Sequence, residues 1–191
     1  MINKDLKRSL GQMIKGVQVI GAADGDVRRL YTSHWFSQIA FDEPIVLASV
    51  SPKHDTHPLL VSTGVFSASL LAGDQIAEGQ YFSYPGRKFR YVAEELVEDW
   101  EGLPVVPNSI AWLRCEVQHR WEAATFGGDH DLFVARVVAV CEGRLKDPPL
   151  LYSSRLGWRV TGDAAREKGV SVRDALLSRL GDVNDGSDDE D

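Results

Sequence analysis

Two strand-length runs of alternating side chains dominate the second half of the chain. In "AWLRCEVQHRW", residues 111–121, Ala111, Leu113, Cys115, Val117, His119 and Trp121 fall on one face. Trp112, Arg114, Glu116, Gln118 and Arg120 fall on the other. "LFVARVVAVCE", residues 132–142, keeps the same period, with Phe133, Ala135, Val137, Ala139 and Cys141 together. Only the loop "EAATFGGDHD" lies between them. The runs therefore predict a long antiparallel pair, and their mixture of small and bulky residues suits a curved barrel wall.

The first half reads the same way. "GVQVIGA" alternates as a strand, "ADGD" supplies turn chemistry, and "VRRLYTS" returns. "PIVLASVS" is a near-continuous apolar strand and "GVFSASLL" another, with "KHDTHPLL" between them as a loop entering a short helix. Leu6, Leu10 and Met13 at i, i+4, i+7 predict an amphipathic helix over about residues 3–14, and "AGDQIAEGQYF" is helical in pattern. Pro85 and Gly86 break "SYPGRKFRYV" into a surface excursion. "PPLLYSSRLGWRV" predicts one short terminal strand. Ser171 then caps a helix with Leu176, Leu177 and Leu180 on its stripe and Gly181 as its stop. There is no βαβ rhythm and no GxGxxG, which argues against a Rossmann fold. The expected class is mainly β: an antiparallel barrel with flanking helices. Residues 1–165 are expected to form it, followed by a helix at 166–181 and a disordered acidic tail at 182–191.

Of the net charge of −7, the last ten residues carry six acidic side chains and no base, so the remainder is nearly neutral. That excludes non-specific nucleic-acid binding, which needs a basic face. The start, "MINKDLKRSLGQMIKG", lacks the apolar core of a signal peptide, and "PIVLASV" is too short to span a bilayer. A soluble cytoplasmic protein is expected, without membrane or nucleic-acid partners. Cys115 and Cys141 match no CxxC or metal spacing and read as two buried thiols. His54 and His57 form an HxxH with no third ligand at metal spacing, so no metal is expected.

One segment does not behave like ordinary wall. "YTSHWFSQ" sets hydroxyls beside Trp35 and Phe36, and "SVSPKHDT" offers Ser49, Ser51, Lys53 and Thr56 one strand later. Hydroxyls and a lysine at adjacent strand ends suit a phosphate, and neighbouring aromatics suit a flat ring. The same residues would equally serve two ordinary turns, and composition does not name a ligand.

The order "GVQVIGA…YTSHWFSQIAFDEPIVLASVSPKHDTHPLLVSTGVFSASLLAGDQ…GDHDLFVARVV…PLLY" resembles the flavin reductase-like family of FMN-binding split barrels. That family includes the reductase components of two-component flavin monooxygenases. The likeness runs from about Gly16 to about Tyr152, and is most specific from Thr32 to Pro44 and at "GDH". It implies a homodimeric Greek-key split β-barrel with flanking α-helices, FMN near the dimer interface and NAD(P)H as co-substrate. Thr32, Ser33, Trp35, Phe36 and Ser37 would line the flavin. Ser49, Val50, Ser51, Lys53, His54 and Thr56 would hold its ribityl chain and phosphate.

The resemblance also places His130 on the nicotinamide side as the candidate catalytic residue. Trp158 and Tyr152, aromatics of the C-terminal strand, are candidates to cover that pocket, with core packing the stronger reading for Tyr152. Arg87, beside Lys88, would reach the flavin or the nucleotide diphosphate. Ser69 stands where the family often has Asn, and Ala135 where Gly is common. The implied activity is hydride transfer from NAD(P)H to flavin, with a monooxygenase as the implied recipient. A flavoprotein that keeps FMN and reduces ferric iron, a quinone or a partner oxygenase is the open alternative, as is a non-catalytic FMN-binding barrel.

Overall fold

The computed structural model describes residues 3–83 and 94–160. Arg87, the expected helix at 166–181 and the acidic tail lie outside the described residues. In chain order the first half holds α1 (Lys4–Leu10), β1 (Lys15–Gly16), β2 (Gln18–Asp24), β3 (Val27–Ser33), β4 (Phe36–Gln38) and β5 (Ile45–Val50). It continues with α2 (His57–Thr63), β6 (Val65–Leu70) and α3 (Ile76–Tyr81). The second half adds β7 (Glu98–Trp100), β8 (Leu103–Val105), β9 (Ala111–Trp121), β10 (Asp131–Glu142), β11 (Leu150–Ser153) and β12 (Gly157–Val160).

The expected long pair is β9 and β10, antiparallel from Leu132 opposite Trp121 to Glu142 opposite Ala111. Its register slips between Val134 and Ala135 and again between Val137 and Ala139. Bulges of this kind bend a strand and sharpen its twist. The pair is the middle of a seven-stranded sheet of order β3-β2-β6-β9-β10-β5-β4, antiparallel throughout. Strands β6, β9 and β10 are consecutive neighbours and β5 returns beside β10, the Greek-key arrangement.

Chain connectivity then forces curvature. The sheet's two edges, β3 and β4, are joined by His34 and Trp35 alone. Laid flat, six inter-strand spacings of about 4.8 Å would put those edges about 29 Å apart. From Ser33 to Phe36 the chain reaches at most about 11 Å. The sheet must curl until its edges nearly meet, yet no ladder joins β3 to β4. Among the described strands this is an open, split barrel with flanking helices, mainly β as expected.

Inside the curl, Ile20, Ala48, Val50, Phe66, Ala68, Cys115, Phe133 and Ala135 form one core. A second core, with Val17, Val19, Leu30, Leu71, Phe82, Val106 and Leu150, lies where β2 and its neighbours are covered from outside. That is why β2 and β6 are buried on both faces. The hairpin of β7 and β8 crosses β2 very closely: a Cβ on Gly21 would lie 2.1 Å from the Pro104 carbonyl oxygen and 2.6 Å from Ser67 Oγ. Ser67 Oγ donates to that carbonyl at 2.6 Å.

Several expectations need correction. Helix α1 stops at Leu10, where Gly11 N–H caps the Lys7 carbonyl, and leaves Leu6, Leu10 and Met13 exposed. The last described segment is two strands, β11 and β12, paired as a hairpin. The β7–β8 hairpin was not foreseen; it turns through Glu101 and Gly102, both at positive φ. Cys115 is buried, its thiol pushed up to about 12 by desolvation, but Cys141 is only half-buried; both are free. Ser69, expected at the flavin, is fully buried, and its Oγ accepts from Val106 N–H at 3.0 Å.

An ionic knot pins the start of β10. Asp131 Oδ2 accepts from Arg120 Nε at 2.8 Å and lies 2.8 Å from His57 Nε2, while Oδ1 accepts from Ala123 N–H at 2.8 Å. Burial pushes the Asp131 carboxyl up, but the Ala123 amide, His57 and Arg120 outweigh it and hold it below the usual carboxylate range. A depressed carboxylate adds stability that is present above its unfolded pKa and disappears as pH falls through the folded value.

Two outcomes follow from this packing. Gly21→Ala should lower stability by about 1–3 kcal/mol through overpacking, read as a several-degree fall in melting temperature. Asp131→Asn should cost roughly 3 kcal/mol at pH 7, leaving Arg120 without its buried partner. As pH falls below the ordinary carboxylate value of about 3.9 and on through the lower folded value, where the parent also protonates Asp131, urea midpoints of the two proteins should converge.

Candidate functional site

The two residues that carry the chain between sheet edges also line a cavity. Ser33, buried at the end of β3, accepts from Trp35 N–H through Oγ at 3.2 Å, which tightens the corner. Thr32 fastens it to α3: its amide donates to the Phe82 carbonyl at 3.1 Å and its hydroxyl to the Gly79 carbonyl at 2.7 Å. Ser49 N–H donates to the Trp35 carbonyl at 2.9 Å and holds the corner to β5.

The cavity encloses about 250 Å³ at this corner. Its aromatic side is layered. His34 stacks on Tyr152, ring centroids 4.1 Å apart and 13° from parallel, with Trp158 edge-on at 5.6 Å. His54 stacks on Tyr31 at 4.4 Å. Trp35, 50% exposed, stands edge-to-face with His130 at 4.7 Å, and Lys15 Nζ lies 5.9 Å from its ring centre. Ser33, Ser49 and Ser154 add hydroxyls to the lining.

Electrostatics separate the two histidines nearest Trp35. Burial first, and the Lys15 charge second, push His34 down to about 4, so at neutral pH it is an uncharged imidazole. Its Nδ1 is buried without a hydrogen-bond partner, a cost usually tolerated where a ligand supplies the missing bond. His130 Nδ1 lies 2.6 Å from Asp129 Oδ1, and that hydrogen bond holds the exposed Asp129 carboxyl below its ordinary value. With Nδ1 donating, Nε2 is left for a second partner.

Of the residues expected at the site, Thr32, Ser33, Trp35, Ser49, His54 and His130 line the cavity together. Others are placed elsewhere. Phe36 packs on the barrel core, Val50 and Thr56 are buried, and the exposed Ser37 donates to the Gln38 carbonyl. Ser51 Oγ accepts from Lys53 N–H at 3.3 Å beside the cavity, with the Lys53 side chain in solvent. The sequence reading missed Lys15, Tyr31, His34 and Ser154. His34 lay in plain view between two residues it did select. Lys15 and Ser154 arrive only because β1 pairs with β11, Lys15 opposite Tyr152. Among the described residues no cluster of His, Cys, Asp and Glu could hold a metal, and no helix is long and apolar enough to cross a membrane.

Flat aromatic walls, a buried acceptor or donor with no partner, several hydroxyls and one lysine fit a planar heterocycle with a polar edge and an anionic substituent. The volume falls short of the ~300–1,000 Å³ of typical small-molecule sites, so it holds a ring and leaves the rest of such a ligand on open surface.

Comparison with known proteins agrees with this geometry. Residues 10–156 match the model of the flavin reductase like domain. The reductase component of 4-hydroxyphenylacetate 3-monooxygenase from Thermus thermophilus is 34% identical over 153 residues, 80% of this chain and 93% of that protein. An NADH-dependent flavin reductase from a Rhodococcus species is 30% identical over 139 residues, covering 69% and 73%. Among solved structures, the NADH:FAD oxidoreductase of Streptomyces globisporus C-1027, in complex with NAD and FAD fragments, superposes with a TM-score of 0.74. It is 21% identical, covers 87% of this chain and 99% of that one, and speaks to the fold alone. On the extent of the domain match and the identity to the Thermus reductase component, the chain belongs to the flavin reductase-like family.

Proposed function

We propose that this protein is an NAD(P)H:flavin reductase that binds FMN at the His34–Trp35 corner, works as a homodimer and hands reduced flavin to a monooxygenase. The observation that carries the reading is the cavity itself: one corner of the split barrel gathers stacked aromatics, several hydroxyls and a neutral imidazole with an unpaired nitrogen. Relatives named as reductase components support the recipient.

When bound, flavin supplies the electron-accepting ring, so the protein needs no nucleophile or paired carboxylates. Its own residues have narrower tasks. Trp35 and His34 offer apolar faces against which a ring can lie, and burial of those faces excludes water. His34 stays uncharged near neutral pH, so its Nδ1 can complete a hydrogen bond to the ring edge without importing a charge. Ser49 and His54, with Lys53 just outside, suit a phosphate. His130, oriented by Asp129, can hold or yield a proton at Nε2 close to Trp35.

A dimer is supported by what one chain leaves bare. Leu6, Leu10, Met13 and Ile14 are exposed at the N-terminus, as are Val138 and Val140 on β10. Such surface is costly in water and typical of a covered face.

FMN should bind with micromolar or tighter affinity, about −8 kcal/mol, read by quenching of its fluorescence, and NADH oxidation in air should require added flavin. Protein that neither quenches FMN nor accelerates NADH oxidation refutes the assignment. Trp35→Ala should weaken FMN binding by roughly 1 kcal/mol, the worth of one aromatic contact beyond its area. His130→Ala should slow reduction by NADH about 10²-fold in stopped flow while FMN affinity stays near the parent value. Ultrafiltration after reduction should find the flavin in the filtrate; flavin retained on the protein would favour a prosthetic role.

A further inference from the structure

Asp131 takes one partner more than its hairpin needs. Arg120 Nε and the Ala123 amide come from β9 and from the loop that returns to β10, and their two bonds close that hairpin. His57 Nε2, 2.8 Å from Oδ2, comes instead from the first residue of α2, 74 positions earlier, and belongs to no strand ladder. Asp131 is ionised near neutral pH and can only accept, so His57 Nε2 carries the proton. His57 and Asp131 are both buried, and the cluster rests on the core. The His57 ring stands edge-on to Phe133 at 5.7 Å, and the Arg120 guanidinium lies 5.9 Å from the centre of the same ring.

That extra bond joins the two segments that carry His54 and His130 to the ring cavity. The β5–β10 ladder ends with Val50 opposite Asp131, and both chains then leave the sheet. The turn after Val50 carries His54, while His130 directly precedes Asp131, and both histidines line the cavity. His57 N–H donates to the His54 carbonyl at 3.0 Å, and His54 N–H to the Ser51 carbonyl at 3.0 Å. A displacement of His57 is therefore passed through the whole turn. The two segments also face each other electrostatically. After the hydrogen bond and charge of His130, the charge of Lys53 helps to hold the Asp129 carboxyl below its ordinary value. Where no ladder fixes spacing, side-chain bonds must, and a displacement of about 1 Å in a site can cost about 10²-fold in rate.

We propose that His57 is a positioning residue for flavin reduction: through Asp131 it fixes the His54 turn against His130, so that both imidazoles face the ring cavity at one separation. His57 does not line that cavity, so it acts only through the residues it holds. This rests on the flavin reductase reading for what the cavity does, while the clamp itself is made of this chain's own side chains.

The experiment compares the full chain with His57→Leu, which keeps bulk against Phe133 but donates nothing. His57→Gln is the rescue, since its amide keeps a donor near the reach of Nε2. His57→Asn, with the same amide one methylene shorter, replaces His57→Leu should that variant not fold, which circular dichroism checks. The ring-proton NMR signals of His54 and His130 are identified by their loss in His54→Ala and His130→Ala. Each is displaced by the ring current of its neighbour, Tyr31 or Trp35. His57→Leu should move both signals toward the position of free histidine, and His57→Gln should restore them. Stopped-flow reduction of FMN by NADH should slow about tenfold in His57→Leu and recover in His57→Gln. In a His130→Ala background the same Leu replacement should slow it further by less than about twofold, because its effect runs through His130. Signals that stay in place in a folded variant overturn the proposal, as does a full loss of about tenfold repeated on top of His130→Ala; the bond then serves stability alone. A parent that oxidises no NADH with flavin refutes the flavin reductase reading instead, and the NMR comparison still decides the clamp.

Discussion

The whole structure depends on a short tether: His34 and Trp35 must connect opposite edges of a seven-stranded sheet. Everything distinctive about the barrel answers that demand. The bulges in β9 and β10 supply curvature in the longest strands, where a flat ladder would resist it. The missing side chain at Gly21 and the small one at Ser67 let the β7–β8 hairpin press onto the outside of the curl. Since β3 and β4 approach without pairing, the gap between them stays accessible. Polar side chains can be placed there without the sheet's ladder consuming their backbone neighbours.

The site inherits its character from that gap. Residues in a regular strand alternate between core and solvent, and neither place suits a half-exposed aromatic beside a half-buried imidazole. A corner held by Ser33 Oγ on one side and by the Ser49 amide on the other escapes the alternation. It can therefore present Trp35 outward and His34 inward in succession. The energetic debt of an unpartnered His34 Nδ1 is offset by the stability of a core that does not depend on this corner, since His34 belongs to none of the buried clusters.

Much of this was legible before any coordinates. Period-two alternation over eleven residues leaves no helical reading for β9, and Asp24–Gly25 is a strong enough turn signal to fix the β2–β3 hairpin. Local signals also revealed Thr32, Ser33 and Trp35, because they adjoin in sequence. Three kinds of information were not local. The β1–β11 pairing that brings Lys15 and Ser154 to the cavity joins residues some 135 positions apart, and no turn or period encodes it. The ionic knot of His57, Arg120 and Asp131 draws on three separate elements. Ser69 misled for the opposite reason: a hydroxyl in a strand looks available for a ligand until the Val106 amide is found facing it. Glu101–Gly102 could have announced the β7–β8 hairpin, but the flanking strands are only three residues each, too short to show a period.

The split barrel also explains how polar groups from separate parts of the chain reach one cavity. Apolar residues concentrate inside the curl, while the cavity at the gap takes Ser49 and His54 from the approach to α2 and Ser154 from the β11–β12 turn, which also meets α1. α1 buries none of its own residues and is held through contacts such as Ser153 Oγ to Gly11 O, whereas α2 and β11 bury Leu60 and Leu150 in the two cores. The charges of α1 can change with little penalty to the core. In a chain whose body is nearly neutral, cations gathered at one end of a ring-sized cavity set a field that reaches about one Debye length, roughly 8–10 Å, into solvent. Charge at that rim can therefore vary while the packing inside the curl stays the same.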